Sequence, residues 1–201
     1  MKVGKIEFPE FSGTRCLMMP YIQGDSTSVP DEYHSYDEII DSMFIRKGDV
    51  GYLTIDESVC RKGQAHRAYR AKTNRALHTE VGRQPDKIYT WGSGGGWGSS
   101  HTVTLDRNVE ILLANNIDDS CAVWDSIYEN TSIDGDIGFA ADKYPLDTAV
   151  MMKAGEVHSI GILTPHESLA VTETTQRQFL RIIGAGVTGR EPYFTINPNI
   201  K

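Results

Sequence analysis

The chain has few cysteines, no long apolar run and no excess of positive charge. Its three cysteines, Cys16, Cys60 and Cys121, form no Cys-x-x-Cys pair, which argues against a disulfide framework and a cysteine-ligated zinc site. No stretch approaches the length of about 20 apolar residues that spans a bilayer, and the N-terminus lacks the apolar core of a signal peptide. We therefore expect a cytoplasmic protein with no membrane partner.

The formal net charge of −7 gives no strong signal for nucleic-acid binding, because phosphate contacts need basic surfaces. Basic side chains do cluster at 61–75, but a solvated, exposed strand and loop explains such a cluster in most proteins.

Short apolar segments separated by turn residues predict a mainly β fold, a double-stranded β-helix or jelly roll with one or two short N-terminal helices. The helix is expected at 31–44, with Asp31 as its cap. A parallel α/β sheet is disfavoured because helical crossovers are missing. The 201 residues predict a single domain, 1–201, made of N-terminal strands and helix (1–74), a jelly-roll core (75–183) and a C-terminal tail (184–201).

The segment 161–183 is predicted to form two core strands, 161–164 and 178–183, joined as a hairpin. This hairpin would place His166 and Arg177 on one face, with Arg181 on the same side of the strand because side chains alternate. A guanidinium in that position can bind a carboxylate through two parallel hydrogen bonds. The alternative is an ordinary core hairpin with Arg177 in a surface salt bridge, and spacing alone leaves both open.

The pair His78 and Glu80 is the second candidate feature. In an extended strand both side chains point to one face. One further histidine would complete the two-histidine, one-carboxylate set of non-haem Fe(II) oxygenases. His166 and His158 are the candidates for that third ligand.

The glycine-rich segment 89–100 contains Trp91 and Trp97. It lacks the Gly-Lys-Ser/Thr ending of a phosphate-binding P-loop. It is predicted to be a lid over a pocket or a long hairpin turn.

The order of these motifs resembles the double-stranded β-helix of Fe(II)/2-oxoglutarate-dependent oxygenases over residues 75–183. The resemblance rests on His78-x-Glu80, an apolar strand with Asn115, and then His166, Ala170-Val171 and Arg177. It implies that His78, Glu80 and His166 bind Fe(II) and that Arg177 anchors 2-oxoglutarate. Glu80 replaces the commoner aspartate, and the small hydroxyl residue often found two places after the arginine is missing.

The resemblance implies a dioxygenase that hydroxylates a small molecule, a nucleotide or a protein side chain. The phrase at 165–169 is also similar to uncharacterised proteins of phages and large DNA viruses, which would place the protein in the host cytoplasm or the virion.

Two other classes stay open. The first is a jelly-roll structural or assembly protein, such as a virion component, that forms homo-oligomers without catalysis. The second is a cupin-like metal-binding module or isomerase that uses His101 or His158 and does not need Arg177. Convergence of the His78, Glu80 and His166 side chains would favour a metal-binding class over the structural one.

Overall fold

Short antiparallel strands make up most of the regular structure in the computed structural model, which describes residues 1–66, 75–86, 88–91 and 102–200. Within these residues, the helical segments are the α-helix α1 (Asp37–Ser42) and 3₁₀ helices at Ser26–Ser28, Asp31–Tyr36, Gly138–Lys143 and Leu146–Thr148. The strands are β1 (Lys2–Lys5), β2 (Arg15–Ile22), β3 (Val50–Cys60), β4 (Val81–Arg83), β5 (Tyr89–Trp91), β6 (Thr104–Leu105), β7 (Glu110–Asn115), β8 (Cys121–Val123), β9 (Val150–Met151), β10 (Glu156–Gly161), β11 (His166–Ser168), β12 (Thr175–Ile183) and β13 (Val187–Thr188). The predicted mainly β fold is confirmed.

The strands form three sheets. A six-stranded sheet has the order β1-β10-β7-β12-β3-β2, a four-stranded sheet the order β13-β6-β5-β4, and a three-stranded sheet the order β11-β8-β9. The main apolar cluster takes side chains from all three, including Ile183 of the six-stranded sheet, Trp91 of the four-stranded sheet and Val123 of the three-stranded sheet. These sheets therefore pack around a shared core, an arrangement consistent with a sandwich or jelly roll.

The opposite face of the six-stranded sheet is covered by the predicted helical region. Residues at helical spacing, among them Tyr36, Ile40 and Met43, pack with Leu180 and Ile182 of β12. Because the side chains of a strand alternate, β12 contributes to both cores.

The predicted helix begins as a 3₁₀ helix, and its predicted cap is wrong. Asp31 is the first helical residue, and the preceding Pro30 is extended, with φ −61° and ψ 149°, and makes no capping side-chain hydrogen bond. Proline has a fixed φ and no N–H to satisfy, which suits it to a position at the start of a helix.

The predicted strand at 161–164 and the predicted hairpin are also wrong. β10 ends at Gly161, and Thr164 N donates back to Gly161 O over 3.1 Å, which closes a turn. β11 then pairs with β8, whereas β12 pairs with β3 and β7. Between β11 and β12 the chain passes from the three-stranded sheet to the six-stranded sheet. In this segment, Val171 N donates to Gln64 O over 3.1 Å.

The C-terminal segment returns across the body of the protein. β13 pairs with β6, and Thr195 N donates to Leu17 O over 2.8 Å. Asn197 Nδ2 then donates to Pro20 O and Ser28 O, both over 2.8 Å. In the described part of the chain, none of the helices has the length and apolar character needed to cross a membrane.

Candidate metal centre

Two histidines lie side by side on a short backbone ribbon. His78 N donates to His166 O over 3.0 Å, and His166 N donates to His78 O over 2.9 Å. This reciprocal pair makes the two residues direct antiparallel neighbours, so their side chains leave the ribbon on the same side. The ring centroids are 4.0 Å apart, with 58° between the ring planes. The local pairing, and not a long strand, brings the rings together.

Backbone carbonyls fix the tautomer of both rings. His78 Nδ1 lies 2.6 Å from Ala76 O, and His166 Nδ1 lies 2.9 Å from Thr164 O. A carbonyl oxygen only accepts, so each Nδ1 carries the proton, and in the neutral ring the lone pair is on Nε2. An outer hydrogen bond of this kind is what orients metal-binding histidines in proteins.

Glu80 supplies the carboxylate of the site. Its backbone N donates to Ile162 O over 3.1 Å, and its Oε2 lies 3.5 Å from His166 Nε2. One ligand atom each from His78, Glu80 and His166 lies within 4.8 Å of the others, and all three residues are buried. First-row metals bind such donors at about 2.0–2.2 Å, so a small closure would bring the three donors onto one ion. The structure brings the three predicted residues together, and this cluster could hold a metal ion.

A partly buried ion pair next to the histidines joins the two segments that carry them, and sequence reasoning missed it. Arg75 Nε donates to both carboxylate oxygens of Glu167, over 2.8 and 2.6 Å. The same carboxylate accepts from Ala76 N over 3.0 Å. Glu167 follows His166 directly, and Arg75 and Ala76 come shortly before His78. The pair therefore holds the ribbon together beside His78 and His166.

Arg181 on β12 contacts Glu80. Its Nη1 donates to Glu80 Oε1, and its Nη2 lies 3.3 Å from Thr54 Oγ1. Its guanidinium carbon lies 4.5 Å from the centre of the Trp91 ring. Burial lowers the pKa of Arg181, and the Glu80 carboxylate opposes that shift. Sequence reasoning placed Arg181 on the correct face but did not assign it this partner.

Arg177 is buried, with 3% of its surface exposed, which excludes the alternative of a surface salt bridge. Its Nη1 has no hydrogen-bond partner among the residues that the structure describes. The guanidinium carbon lies 4.8 Å from the centre of the Phe179 ring. Burial lowers the pKa of Arg177, while nearby Cys60, Cys121 and Asp56 act in the opposite direction. A guanidinium that is buried with an unused donor is unusual in a protein core.

Asp56 on β3 is the cross-strand neighbour of Phe179 on β12, and it interacts with His66 and Arg15. His66 Nε2 lies 2.8 Å from its Oδ2, and Arg15 Nε lies 2.9 Å from its Oδ1. Burial alone would raise the pKa of Asp56, but the hydrogen bond from His66 and the charges of Arg15 and Arg177 outweigh it and lower the pKa. Asp56 is thus compensated without a hydrogen bond to Arg177.

Other residues singled out in the sequence lie elsewhere. His158 is on β10, where its Nε2 lies 3.2 Å from Glu156 Oε2, and it does not belong to the cluster. Asn115 shapes a turn, since its Oδ1 accepts from Ile117 N and Ser120 Oγ. Trp91 is buried on β5, so the first residues of the predicted lid form a strand. His101, Trp97 and residues 67–74 lie outside the described residues.

No family model, curated protein or solved structure matches the chain. The function is therefore inferred from the chemistry of the site.

Proposed function

We propose that the protein is an Fe(II)- and 2-oxoglutarate-dependent dioxygenase that hydroxylates a small molecule, a nucleotide or a protein side chain. The observation that carries the proposal is the buried cluster of His78, Glu80 and His166. Two histidines and one carboxylate, with further coordination positions left open, are typical of non-haem Fe(II) oxygenases. These three residues would hold the iron, and Fe(II) with 2-oxoglutarate would supply the oxygen-activating chemistry.

The charges of the site favour a doubly negative co-substrate. Arg177 and Arg181 are both buried. Glu80 contacts Arg181. Asp56, whose charge also acts on Arg177, already interacts with Arg15 and His66. A divalent ion in the cluster would increase the positive excess further. Because isolated charges are costly in a protein interior, a bound dicarboxylate would stabilise this arrangement. 2-Oxoglutarate has that charge.

Two unused donors mark where a carboxylate of the co-substrate would bind. Arg177 on β12 is the direct cross-strand neighbour of Ser58 on β3. Arg177 Nη1 and Ser58 Oγ are both buried, and neither has a hydrogen-bond partner within the described residues. Buried polar groups normally have partners, so a carboxylate that accepts from both would satisfy them.

The protein's own contribution is orientation and a dry environment. The bonds from Nδ1 to backbone carbonyls hold both imidazoles with Nε2 towards the cluster. The ion pair of Arg75 and Glu167 fixes the ribbon beneath them. Burial strengthens each electrostatic contact by excluding water.

Anaerobic titration with Fe(II) and 2-oxoglutarate tests the proposal. The ternary complex should give a weak metal-to-ligand charge-transfer band in the visible range, and admission of oxygen should yield succinate. His166→Ala should abolish the band, whereas the control His158→Ala should keep it, because His158 lies outside the cluster.

Absence of the band in the wild-type protein would refute the oxygenase. Metal binding without any response to 2-oxoglutarate would favour the cupin-like module, and absence of metal binding would favour the structural protein.

A further inference from the structure

We infer that Arg181 is a positioning residue that holds Glu80 in one-oxygen coordination and so keeps a coordination position of the metal open. The inference rests on the proposed metal centre and adds a residue to which no role in it has been assigned. The two oxygens of the Glu80 carboxylate contact different residues. Oε1 accepts from Arg181 Nη1, and Oε2 lies 3.5 Å from His166 Nε2, on the side of the cluster.

The guanidinium of Arg181 is itself held in place. It is buried, its Nη2 lies 3.3 Å from Thr54 Oγ1, and its carbon lies 4.5 Å from the centre of the Trp91 ring. Thr54 on β3 is the direct cross-strand neighbour of Arg181. A planar guanidinium supported on several sides directs its donors in fixed directions. Arg181 is therefore a rigid partner for the Glu80 carboxylate.

A glutamate needs such a partner more than an aspartate does. Glu80 has one more rotatable bond than aspartate would have at this position, so its carboxylate has more ways to turn. A carboxylate that is free to turn can bind a metal through both oxygens and take up a further coordination position. With Oε1 engaged by Arg181, Oε2 is the oxygen that would bind the metal. The coordination position that the second oxygen would otherwise occupy is then available to a co-substrate.

The probe for this inference is Co(II), added to the metal-free protein without 2-oxoglutarate. The visible absorption of Co(II) reports its coordination number and geometry and needs no turnover. In Arg181→Met and Arg181→Lys the spectrum should differ from that of the wild-type protein, because Glu80 loses its fixed partner. Arg181→Lys retains the positive charge, so its Co(II) affinity should fall about 10- to 100-fold through lost orientation alone. Near-ultraviolet circular dichroism before Co(II) addition shows that each variant is folded.

Arg177→Met is the matched control, because Arg177 lies on the same face of β12 and does not contact Glu80. It should keep the wild-type Co(II) spectrum. Glu80→Asp supplies a second comparison, because the shorter side chain withdraws the carboxylate from Arg181. In the Glu80→Asp background, Arg181→Met should cause no further spectral change.

An unchanged spectrum and affinity in both Arg181 variants would overturn the inference and leave the proposed function standing. A spectral change of the same size in the Glu80→Asp background would also overturn it, because Arg181 would then act independently of Glu80. Failure of the wild-type protein to bind Co(II) or Fe(II) would overturn both the inference and the proposed function.

Discussion

Arg177→Met tests the proposed co-substrate site through protein stability. Arg177 is buried with an unused donor, a costly arrangement unless a ligand accepts from it. Methionine has a flexible, unbranched side chain that can fill the space of the arginine stem without a charge. We expect the variant to be at least as stable as the wild-type protein when neither metal nor 2-oxoglutarate is present.

The change in the free energy of unfolding caused by Arg177→Met is the sum of two opposing contributions. Removing an unsatisfied buried donor recovers about 1–3 kcal/mol. Losing the contact between the guanidinium of Arg177 and the Phe179 ring, 4.8 Å away, costs about 0.5–2 kcal/mol. The net gain is expected to be about 1 kcal/mol, which corresponds to a rise of about 2–4 °C in Tm for a chain of this size.

The assay compares denaturant unfolding of both proteins with and without ligands under anaerobic conditions. In the presence of Fe(II), 2-oxoglutarate at a hundredfold excess over its Kd should stabilise the wild-type protein by about 2.7 kcal/mol. The variant should show almost none of this stabilisation. Arg61→Met, the same substitution at an exposed residue, serves as the control. A loss of more than about 1 kcal/mol in the ligand-free variant would refute the reasoning, because Arg177 would then be a structural cation.

Three further predictions concern the buried carboxylates Glu57, Glu167 and Asp56. Glu57→Gln should destabilise the protein by about 2–4 kcal/mol in denaturant unfolding, because the Glu57 carboxylate accepts from the backbone N–H groups of residues 12, 13 and 14. Arg75→Met should cost about 3 kcal/mol by the same measurement, since it leaves the buried Glu167 carboxylate without its cation, and Arg75→Lys should recover part of that loss. Both Asp56 and His66 have lowered pKa values in the folded protein. Their stabilisation is therefore complete above about pH 6.5 and is lost as the pH falls, first through His66 and then, below about pH 4, through Asp56. Tm measured from pH 7 to pH 3 should fall accordingly. If Tm of an Asp56→Asn variant fell below about pH 4 in the same way as Tm of the wild-type protein, this assignment would be contradicted.

The parts of the site predicted from the sequence are those encoded by neighbouring residues. His78 and Glu80 are two residues apart, and alternation along an extended chain is enough to place them on one face. Arg177 and Arg181 are related in the same way along β12. His166, the third member of the cluster, was selected over His158 only by the resemblance in motif order. Its backbone pairing with His78 brings the two residues together.

The contacts that were not predicted join residues far apart in the chain. Arg181 on β12 and Glu80, which directly precedes β4, are separated by 101 positions. Neither residue carries a local signal for the other, because any buried arginine could pair with any acidic residue. The hairpin at 161–183 was mispredicted for a related reason. Ile162 and Leu163 are buried and apolar as in a strand, yet they form a turn, and a short apolar run does not distinguish the two.

The position of β12 in the six-stranded sheet has a consequence for the order of folding. β3 and β7 are made first during synthesis, but each pairs with β12, which lies between them. Until residues 175–183 leave the ribosome, the edges of β3 and β7 that face this gap lack their native partner, and unpaired edges favour aggregation. The strand that closes the gap is the strand that carries Arg177 and Arg181. Formation of the six-stranded sheet therefore also brings the two arginines into place. Variants that weaken β12 should reduce the yield of folded protein before any defect in ligand binding can be measured.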